Sequence, residues 1–337
     1  MVQVLKYLLL TTSILLSSSV QGKNIKTDTT GQKVIIGYIL LNDHSRNELF
    51  PLLEWKYLTH INVSFAKVKA DGTLNTTDVQ KKIKEVRKTA HRHGVKALIS
   101  IARNTKGEFS AAIANPESRK KAAKEIINFV RNNKLDGFDI DYEEHDNTSE
   151  NENFRSLLAF VKELHANKDK DMLMTCAVYG RWLYYGTEWS QYFDYINVMS
   201  YDGKNVFSAT HPVQHASFED FEKDLSNWSE NLKVPRNKLI GGVPFYGFMW
   251  EKNEKKKGKS IRYSDILTRW GNQAADTDEI EGRIYYNGRP TIRQKCNFIK
   301  ENNYGGVMIW QLFHDTHNDH SPLKLIKIIG ETMSHHN

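Results

Sequence analysis

The chain has 337 residues, of which 39% are hydrophobic and 26% are charged, as in ordinary folded globular proteins. The net charge is +7, but the 47 basic residues are scattered among 40 acidic ones, so we expect no nucleic-acid partner. The dense basic cluster at 252–259 is interpreted as a solvated loop. Cys176 and Cys296, the two cysteines, exclude a disulfide framework and are expected to be buried thiols.

The first residues have the pattern of a signal peptide. Lys6 precedes an apolar run at 7–16, and small residues follow as far as Gly22. A membrane-spanning helix needs about 20 apolar residues, and this run is shorter. We therefore expect a signal peptide at 1–22 and a mature chain at 23–337 that is secreted, to the extracellular space or the periplasm, without stable membrane insertion.

In the mature chain, short apolar and β-branched runs alternate with longer amphipathic segments. This pattern indicates parallel strands joined by crossover helices. The eight predicted strands are at 34–40, 60–67, 95–102, 135–143, 172–178, 195–201, 239–246 and 306–312. No glycine-rich phosphate turn follows the first strand, so a single-domain (β/α)8 TIM barrel is favoured over an open doubly wound sheet.

Apolar stripes at helical spacing predict three of the connecting helices. The stripes are Val79, Ile83, Val86 and Ala90; Ala123, Ile127 and Val130; and Phe154, Leu157, Leu158, Val161 and Leu164. Asn115 and Pro116 come directly before the second stripe, at the cap and first-turn positions of a helix. The segment from 248 to 304 leaves room after strand seven for only a small α+β insertion or none, with loops at 252–259 and 276–287.

The fourth predicted strand carries an unusual run of acids. Asp139, Asp141 and Glu143 alternate with apolar residues, so all three point to one face, which is the interior of a barrel. Burying three carboxylates costs several kcal/mol for each, and mutual repulsion raises the pKa of one of them. The pattern therefore favours an acid catalyst. A Mg²⁺ site stays open, whereas an EF-hand loop is excluded because Glu144 occupies the position that needs glycine.

Residues 136–143, which read Asp-Gly-Phe-Asp-Ile-Asp-Tyr-Glu, resemble the DGxDxDxE signature of glycoside hydrolase family 18, the family of many chitinases. Three further segments agree with the family in order and spacing. They are 199–202 (Met-Ser-Tyr-Asp), 242–247 (Gly-Val-Pro-Phe-Tyr-Gly) and 306–310 (Gly-Val-Met-Ile-Trp). The four segments extend over most of the mature chain and end predicted strands, where barrel enzymes place their active sites.

The resemblance implies a chitinase that cleaves β-1,4 bonds between N-acetylglucosamine units with retention of configuration, the acetamido group of the substrate being the nucleophile. It implies that Glu143 is the general acid and base. Asp141 would orient the acetamido group and share a proton with Asp139. Tyr201 would donate to the acetamido oxygen, and Asp202 would hold the distorted sugar ring.

The resemblance also implies the binding surface. Trp310 would be the stacking floor under the cleaved sugar, and Tyr38, Phe65, Met199 and Tyr246 would line the cleft. No metal and no other cofactor is implied, and the expected partner of the monomeric enzyme is chitin or another N-acetylglucosamine-containing oligosaccharide.

One segment departs from the family pattern. Many members have Ser-x-Gly-Gly at the end of the third strand, whereas this chain has Ser100, Ile101, Ala102 and Arg103. The sequence does not predict the direction of the Arg103 side chain.

Two other functions stay open. An endo-β-N-acetylglucosaminidase that cuts the chitobiose core of N-glycans shares the acidic motif, and a lectin on the same barrel lacks the proton donor, which is present here as Glu143. Sequons at Asn75, Asn147 and Asn227 have meaning only in a eukaryotic secretory pathway.

Overall fold

The computed structural model describes residues 33–41, 50–144, 150–181, 187–252, 256–317 and 321–334. The predicted signal peptide and the Asn147 sequon lie outside these ranges. Within them, eight parallel strands form a closed barrel: β1 (Val34–Leu40), β2 (His60–Val68), β3 (Lys96–Arg103), β4 (Gly137–Asp141), β5 (Leu173–Tyr179), β6 (Tyr195–Met199), β7 (Leu239–Pro244) and β8 (Gly306–Trp310). Each strand pairs with its neighbours in sequence, and β1 pairs with both β2 and β8, which closes the barrel. The predicted (β/α)8 architecture is confirmed.

Helices flank the barrel. They are α1 (Ile83–Arg92), α2 (Glu108–Ala114), α3 (Pro116–Asn133), α4 (Glu150–Asn167), α5 (Thr187–Ser190), α6 (Phe218–Ser226), α7 (Tyr263–Trp270), α8 (Arg289–Glu301) and α9 (Leu325–Ser334). The three predicted stripes lie against the barrel, and Asn115 caps α3 by accepting a hydrogen bond from the backbone N–H of Glu117 at 2.8 Å. The first helix starts later than its stripe predicts: α1 begins at Ile83, and Val79 is buried in the turn before it.

Four of the eight strands were predicted too long at the carboxyl end, the end that matters for function. β4 ends at Asp141 instead of Glu143, and β6 ends at Met199 instead of Tyr201; β7 and β8 also end two residues early. The alternation of polar and apolar side chains continues past the last ladder hydrogen bond, so the sequence does not mark the point where the chain leaves the sheet. Glu143 and Tyr201 consequently lie on loops just beyond their strands.

A small antiparallel sheet follows β7. Its strands are Tyr246–Met249, Lys259–Arg262, Glu279–Ile280 and Ile284–Tyr285. The prediction of a loop at 276–287 was therefore wrong in part, because strands of two residues are too short to show any alternation. The insertion is small, as expected from the length of this segment.

Cys176 and Cys296 are free and buried, as predicted. None of the helices in the described part of the chain combines the length and the apolar composition that crossing a membrane requires.

Candidate active site

A cleft of about 850 Å³ opens at the carboxyl ends of the barrel strands. Eight of the ten predicted site residues line it: Tyr38, Phe65, Asp141, Glu143, Met199, Tyr201, Asp202 and Trp310. The other two lie behind this surface. Asp139 is buried in the barrel, and Tyr246 is buried with its hydroxyl on Asp202. The structure thus brings all ten together.

Asp139 is completely buried in the centre of the barrel. Its carboxylate accepts hydrogen bonds from the hydroxyl groups of Tyr38 (2.8 Å), Ser100 (2.8 Å) and Thr175 (2.7 Å) and from the amide of Asn197 (3.2 Å). Burial raises the pKa of this carboxyl, and the four hydrogen bonds oppose that rise. Four strands therefore supply the donors that make a buried carboxylate tolerable.

The carboxyl groups of Asp141 and Glu143 are neighbours in the cleft, where a proton on one can form a hydrogen bond to the other. Burial raises the pKa of Asp141 well above its usual value, and the negative charges of Glu143 and Asp139 raise it further. The interaction of Asp141 with Asp139 is thus one of charge, while the hydrogen bond that it can form goes to Glu143. When two carboxyl groups share a proton, one of them stays protonated at pH values at which an isolated carboxyl group is ionised.

Glu143 is exposed to the cleft on one side. Desolvation is nevertheless the largest cause that raises the pKa of its carboxyl, because the cleft walls surround the remaining sides. The charge of Asp202 also raises this pKa, while the hydrogen bond with Asp141 and the positive charge of Arg103 lower it. The geometry and the raised pKa fit a proton donor that faces solvent or a bound ligand.

Asp202 follows β6 and has a left-handed backbone conformation, with φ of 56°. The hydroxyl of Tyr246 donates to its carboxylate at 2.5 Å, and the ring of the buried His215 lies 3.3 Å from the same oxygen. The backbone N–H of Asp202 donates to Nδ1 of His215 at 3.2 Å, so this nitrogen is an acceptor. Asp202 is therefore held at both its backbone and its side chain.

Tyr201 points into the same region. Its hydroxyl has a weak contact with the sulfur of Met308 at 3.8 Å. Burial, together with the charge of Asp202, raises the pKa of Tyr201 well above its usual value. The hydroxyl stays protonated and available as a donor to a ligand.

Aromatic rings form one wall of the cleft. Trp310 stacks on Phe65, with ring centroids 5.8 Å apart and an interplanar angle of 25°, and tilts against Tyr38 at 5.7 Å. The Ser64–Phe65 and Trp310–Gln311 peptide bonds are both cis. An apolar ring face beside carboxyl groups suits a sugar, which has apolar C–H faces and polar edges.

The cleft also contains residues that sequence reasoning missed. Phe207, on the loop after β6, has 63% of its surface exposed and packs edge-on against Phe248. Lys257 lines the cleft, so the interpretation of its basic cluster as a solvated loop was incomplete. Arg103 also lines the cleft and donates to the backbone carbonyl of Glu143 at 3.2 Å. In the sequence, the only indication that Arg103 belongs to the cleft was that it stands where many family members have glycine.

Glu144 fixes the segment directly after Glu143. Its buried carboxylate accepts from the backbone N–H groups of Gly107 and Ser110, both at 2.6 Å, and from the Ser110 hydroxyl at 2.7 Å. These groups belong to the first turn of α2, where a carboxylate is favoured by the helix dipole. The loop that carries Glu143 is thereby tied to the barrel wall.

The described side chains do not support the Mg²⁺ alternative. The oxygens of Asp139 already accept four protein hydrogen bonds. Within the described ranges, no three His, Cys, Asp or Glu side chains are grouped to hold a metal ion. The acidic strand therefore presents a carboxyl pair above a third acid whose oxygens already accept protein hydrogen bonds.

A (β/α)8 barrel with paired carboxyl groups in an aromatic-lined cleft defines the class of barrel glycoside hydrolases. The family model described as "Glycosyl hydrolases family 18" matches residues 34–315. The chain belongs to this family.

Two solved bacterial structures are similar over nearly their whole length. A chitinase from Bacteroides thetaiotaomicron is 56% identical, with a TM-score of 0.85, and the match covers 91% of this chain and 99% of that one. The family 18 chitinase ChiB from the chitin utilization locus of Flavobacterium johnsoniae is 30% identical, with a TM-score of 0.76, and the match covers 90% and 94% of the two chains.

Curated relatives are more distant and longer. Probable chitinase 10 of Drosophila melanogaster is 26% identical over 322 residues, which covers 75% of this chain and 14% of that protein. The chain spans less than two thirds of the length of two further relatives as well.

Proposed function

We propose that this protein is a chitinase that hydrolyses β-1,4 bonds between N-acetylglucosamine units. The observation that carries the proposal is the carboxyl pair of Asp141 and Glu143, which faces the cleft with the pKa of both carboxyl groups raised. The 56% identity to a bacterial chitinase over the whole barrel supports it.

The first chemical step transfers the proton of Glu143 to the glycosidic oxygen. As the bond from that oxygen to C1 breaks, the acetamido oxygen of the same sugar forms a bond to C1, giving a cyclic oxazolinium ion. In the second step water attacks C1, Glu143 takes one proton from this water, and the acetamide is restored. Two inversions at C1 give overall retention.

The other site residues orient and stabilise this reaction. Asp141 turns from Glu143 to the acetamido N–H and stabilises the positive charge of the intermediate, with the fixed charge of Asp139 below it. Tyr201 donates its hydroxyl to the acetamido oxygen. Asp202, held by Tyr246, binds the sugar ring in its distorted form.

The aromatic wall binds the substrate. Trp310 stacks under the cleaved sugar, and the remaining cleft surface comes from Tyr38, Phe65 and Met199. The sheet after β7 is small, so the cleft encloses little of a long chain, and we propose endo-type, non-processive cleavage by a secreted monomer.

Product analysis tests the proposal and separates it from the endo-β-N-acetylglucosaminidase alternative. The mature chain is incubated with N-acetylglucosamine tetramer to hexamer and, separately, with a high-mannose glycopeptide. A chitinase releases shorter oligomers whose new reducing ends have the β configuration. Cleavage of the glycopeptide alone would assign the other enzyme, and binding of the oligomers without cleavage would assign a lectin.

A further inference from the structure

Arg103 is the last residue of β3 and the point where the chain departs from the usual glycines. Its Nη1 donates to the backbone carbonyl of Glu143 at 3.2 Å, and its side chain lines the cleft. Among the described residues it has no carboxylate within salt-bridge distance, unlike Lys67, which is paired with Asp78 at 2.6 Å. Its charge is therefore directed to the site and not neutralised by a direct contact.

Glu143 needs such support because it lies two residues beyond the end of β4. No ladder of strand hydrogen bonds holds its backbone there. On the following residue, Glu144 ties the chain to the first turn of α2. The backbone carbonyl of Glu143 itself accepts a hydrogen bond from the guanidinium of Arg103, which lies at the end of the neighbouring strand β3.

Arg103 also balances the charge of the site. The titratable and charged groups in and behind the cleft are Asp139 beneath the carboxyl pair, Tyr38 on β1, Lys67 on β2, Arg103 on β3, Tyr179 on β5, Tyr201 and Asp202 after β6, Tyr246 after β7, and Lys257 in the loop beyond. The positive charge of Arg103 lowers the pKa of both Asp141 and Glu143. Burial and the neighbouring acids act in the opposite direction.

We propose that Arg103 is a positioning residue for the proton donor: it holds the backbone of Glu143 and places one positive charge beside the Asp141–Glu143 pair. The inference rests on the proposed function, because it assigns Arg103 to the proton-transfer step of that reaction. Arg103 acts through Glu143 and not on the sugar itself.

The sign of the effect follows from the charge. Without the cation, the pKa of Glu143 and of Asp141 rises, since the ionised forms lose a favourable partner. The basic limb of the kcat/KM profile, which reports deprotonation of the acid, moves to higher pH, and the acidic limb moves in the same direction. A purely structural defect lowers the height of the profile without moving its limbs.

The test uses Arg103→Gln and Arg103→Lys in the mature chain. Arg92→Gln is the matched control, because it makes the same change at an exposed arginine that precedes the opposite end of β3. Two substrates are compared: the N-acetylglucosamine tetramer, which has a poor leaving group, and 4-nitrophenyl N,N′-diacetylchitobioside, which has a good one. Only the first depends strongly on protonation by Glu143.

For Arg103→Gln we expect kcat on the tetramer to fall about tenfold or more, with a much smaller fall on the nitrophenyl substrate. Both pH limbs should move up by at least about half a pH unit. Arg103→Lys should restore the limbs, because it keeps the charge, but not the full kcat, because it lacks the planar fork of donors. Unmoved limbs, or equal losses on both substrates, would overturn the proposal.

A second measurement needs no substrate. The pKa of Glu143 is followed by NMR of protein labelled at the glutamate carboxyl carbons, with Glu143→Gln used to assign the signal. We expect Arg103→Gln to raise this pKa and Arg103→Lys to return it toward the wild-type value. An unchanged titration refutes the role of Arg103, whereas an inactive wild-type enzyme with a shifted titration refutes only the chitinase assignment.

Discussion

Glu144 and Ser110 are joined by two hydrogen bonds, one from the Ser110 backbone N–H at 2.6 Å and one from its hydroxyl at 2.7 Å. They link the loop after β4 to the start of α2. Because the acceptor is a buried carboxylate, we expect Glu144→Gln to lower the free energy of unfolding by about 1–3 kcal/mol. Urea denaturation measures this change.

The control for this variant is Glu85→Gln, at an exposed glutamate on α1 that pairs with Lys82. Its effect should lie within about 0.5 kcal/mol of zero. Equal unfolding midpoints for the two variants would show that Glu144 does not anchor the loop.

Glu143→Gln tests the proton donor. Glutamine keeps the size and hydrogen-bonding capacity of the side chain but has no transferable proton, so turnover of N-acetylglucosamine oligomers should fall at least about a hundredfold. Calorimetric titration with the tetramer should show that binding is retained. An active Gln variant would remove Glu143 from the role of acid.

Asp141→Asn tests the origin of the nucleophile. The change removes the charge that orients and stabilises the acetamido group, so turnover should fall strongly. Added azide should not restore it, because no enzyme carboxylate bonds to the sugar in this mechanism. A glycosyl azide among the products, detected by mass spectrometry, would instead indicate an ordinary mechanism with two carboxylates.

Chelator treatment tests whether the acids act with a metal. We expect protein dialysed against EDTA to keep full activity, since the oxygens of Asp139 already accept hydrogen bonds from Tyr38, Ser100, Thr175 and Asn197. Rates are measured before and after addition of Mg²⁺ or Ca²⁺. Activity that disappears and returns with either ion would contradict the proposed chemistry.

The buried Lys295 should make the free energy of unfolding depend on pH. It is completely buried, with its ammonium group bonded to Ala216 O at 2.9 Å and Asn287 Oδ1 at 2.8 Å. Burial lowers its pKa to about 7, from 10.5 in an exposed lysine, although the charge of Asp278 opposes the shift. Between these two values the unfolded chain binds more protons than the folded one, so stability from this group rises with pH.

The measurement compares unfolding free energies at pH 7 and pH 9 for the wild type and Lys295→Met. The wild type should gain about 1 kcal/mol per pH unit relative to the variant. Lys327→Met, at a partly exposed lysine paired with Glu331, should keep the wild-type slope. If the unfolding free energies of the wild type and Lys295→Met change equally between pH 7 and pH 9, Lys295 is protonated over that whole range.

Local patterns were enough to predict the eight strands, the three helical stripes and the order of the family motifs. They were also enough to place Asp139, Asp141 and Glu143 on one face, because side-chain alternation depends only on neighbouring residues. The errors at the strand ends have the same cause. The alternation of side chains continues past Asp141, although the hydrogen bonds between strands end there.

The tertiary structure alone decided the surroundings of these acids. The donors to Asp139 come from Tyr38, Ser100, Thr175 and Asn197, between 36 and 101 residues away in the chain. Their meeting requires barrel closure and strand register, which no local pattern specifies.

The same reason applies to the cleft. The sequence by itself determined that an arginine replaces a glycine at position 103, but only the tertiary structure directed Arg103 to the carbonyl of Glu143 and brought Lys257 to the cleft. A long side chain on a loop has many accessible directions, and the packed neighbours of the folded barrel select one of them.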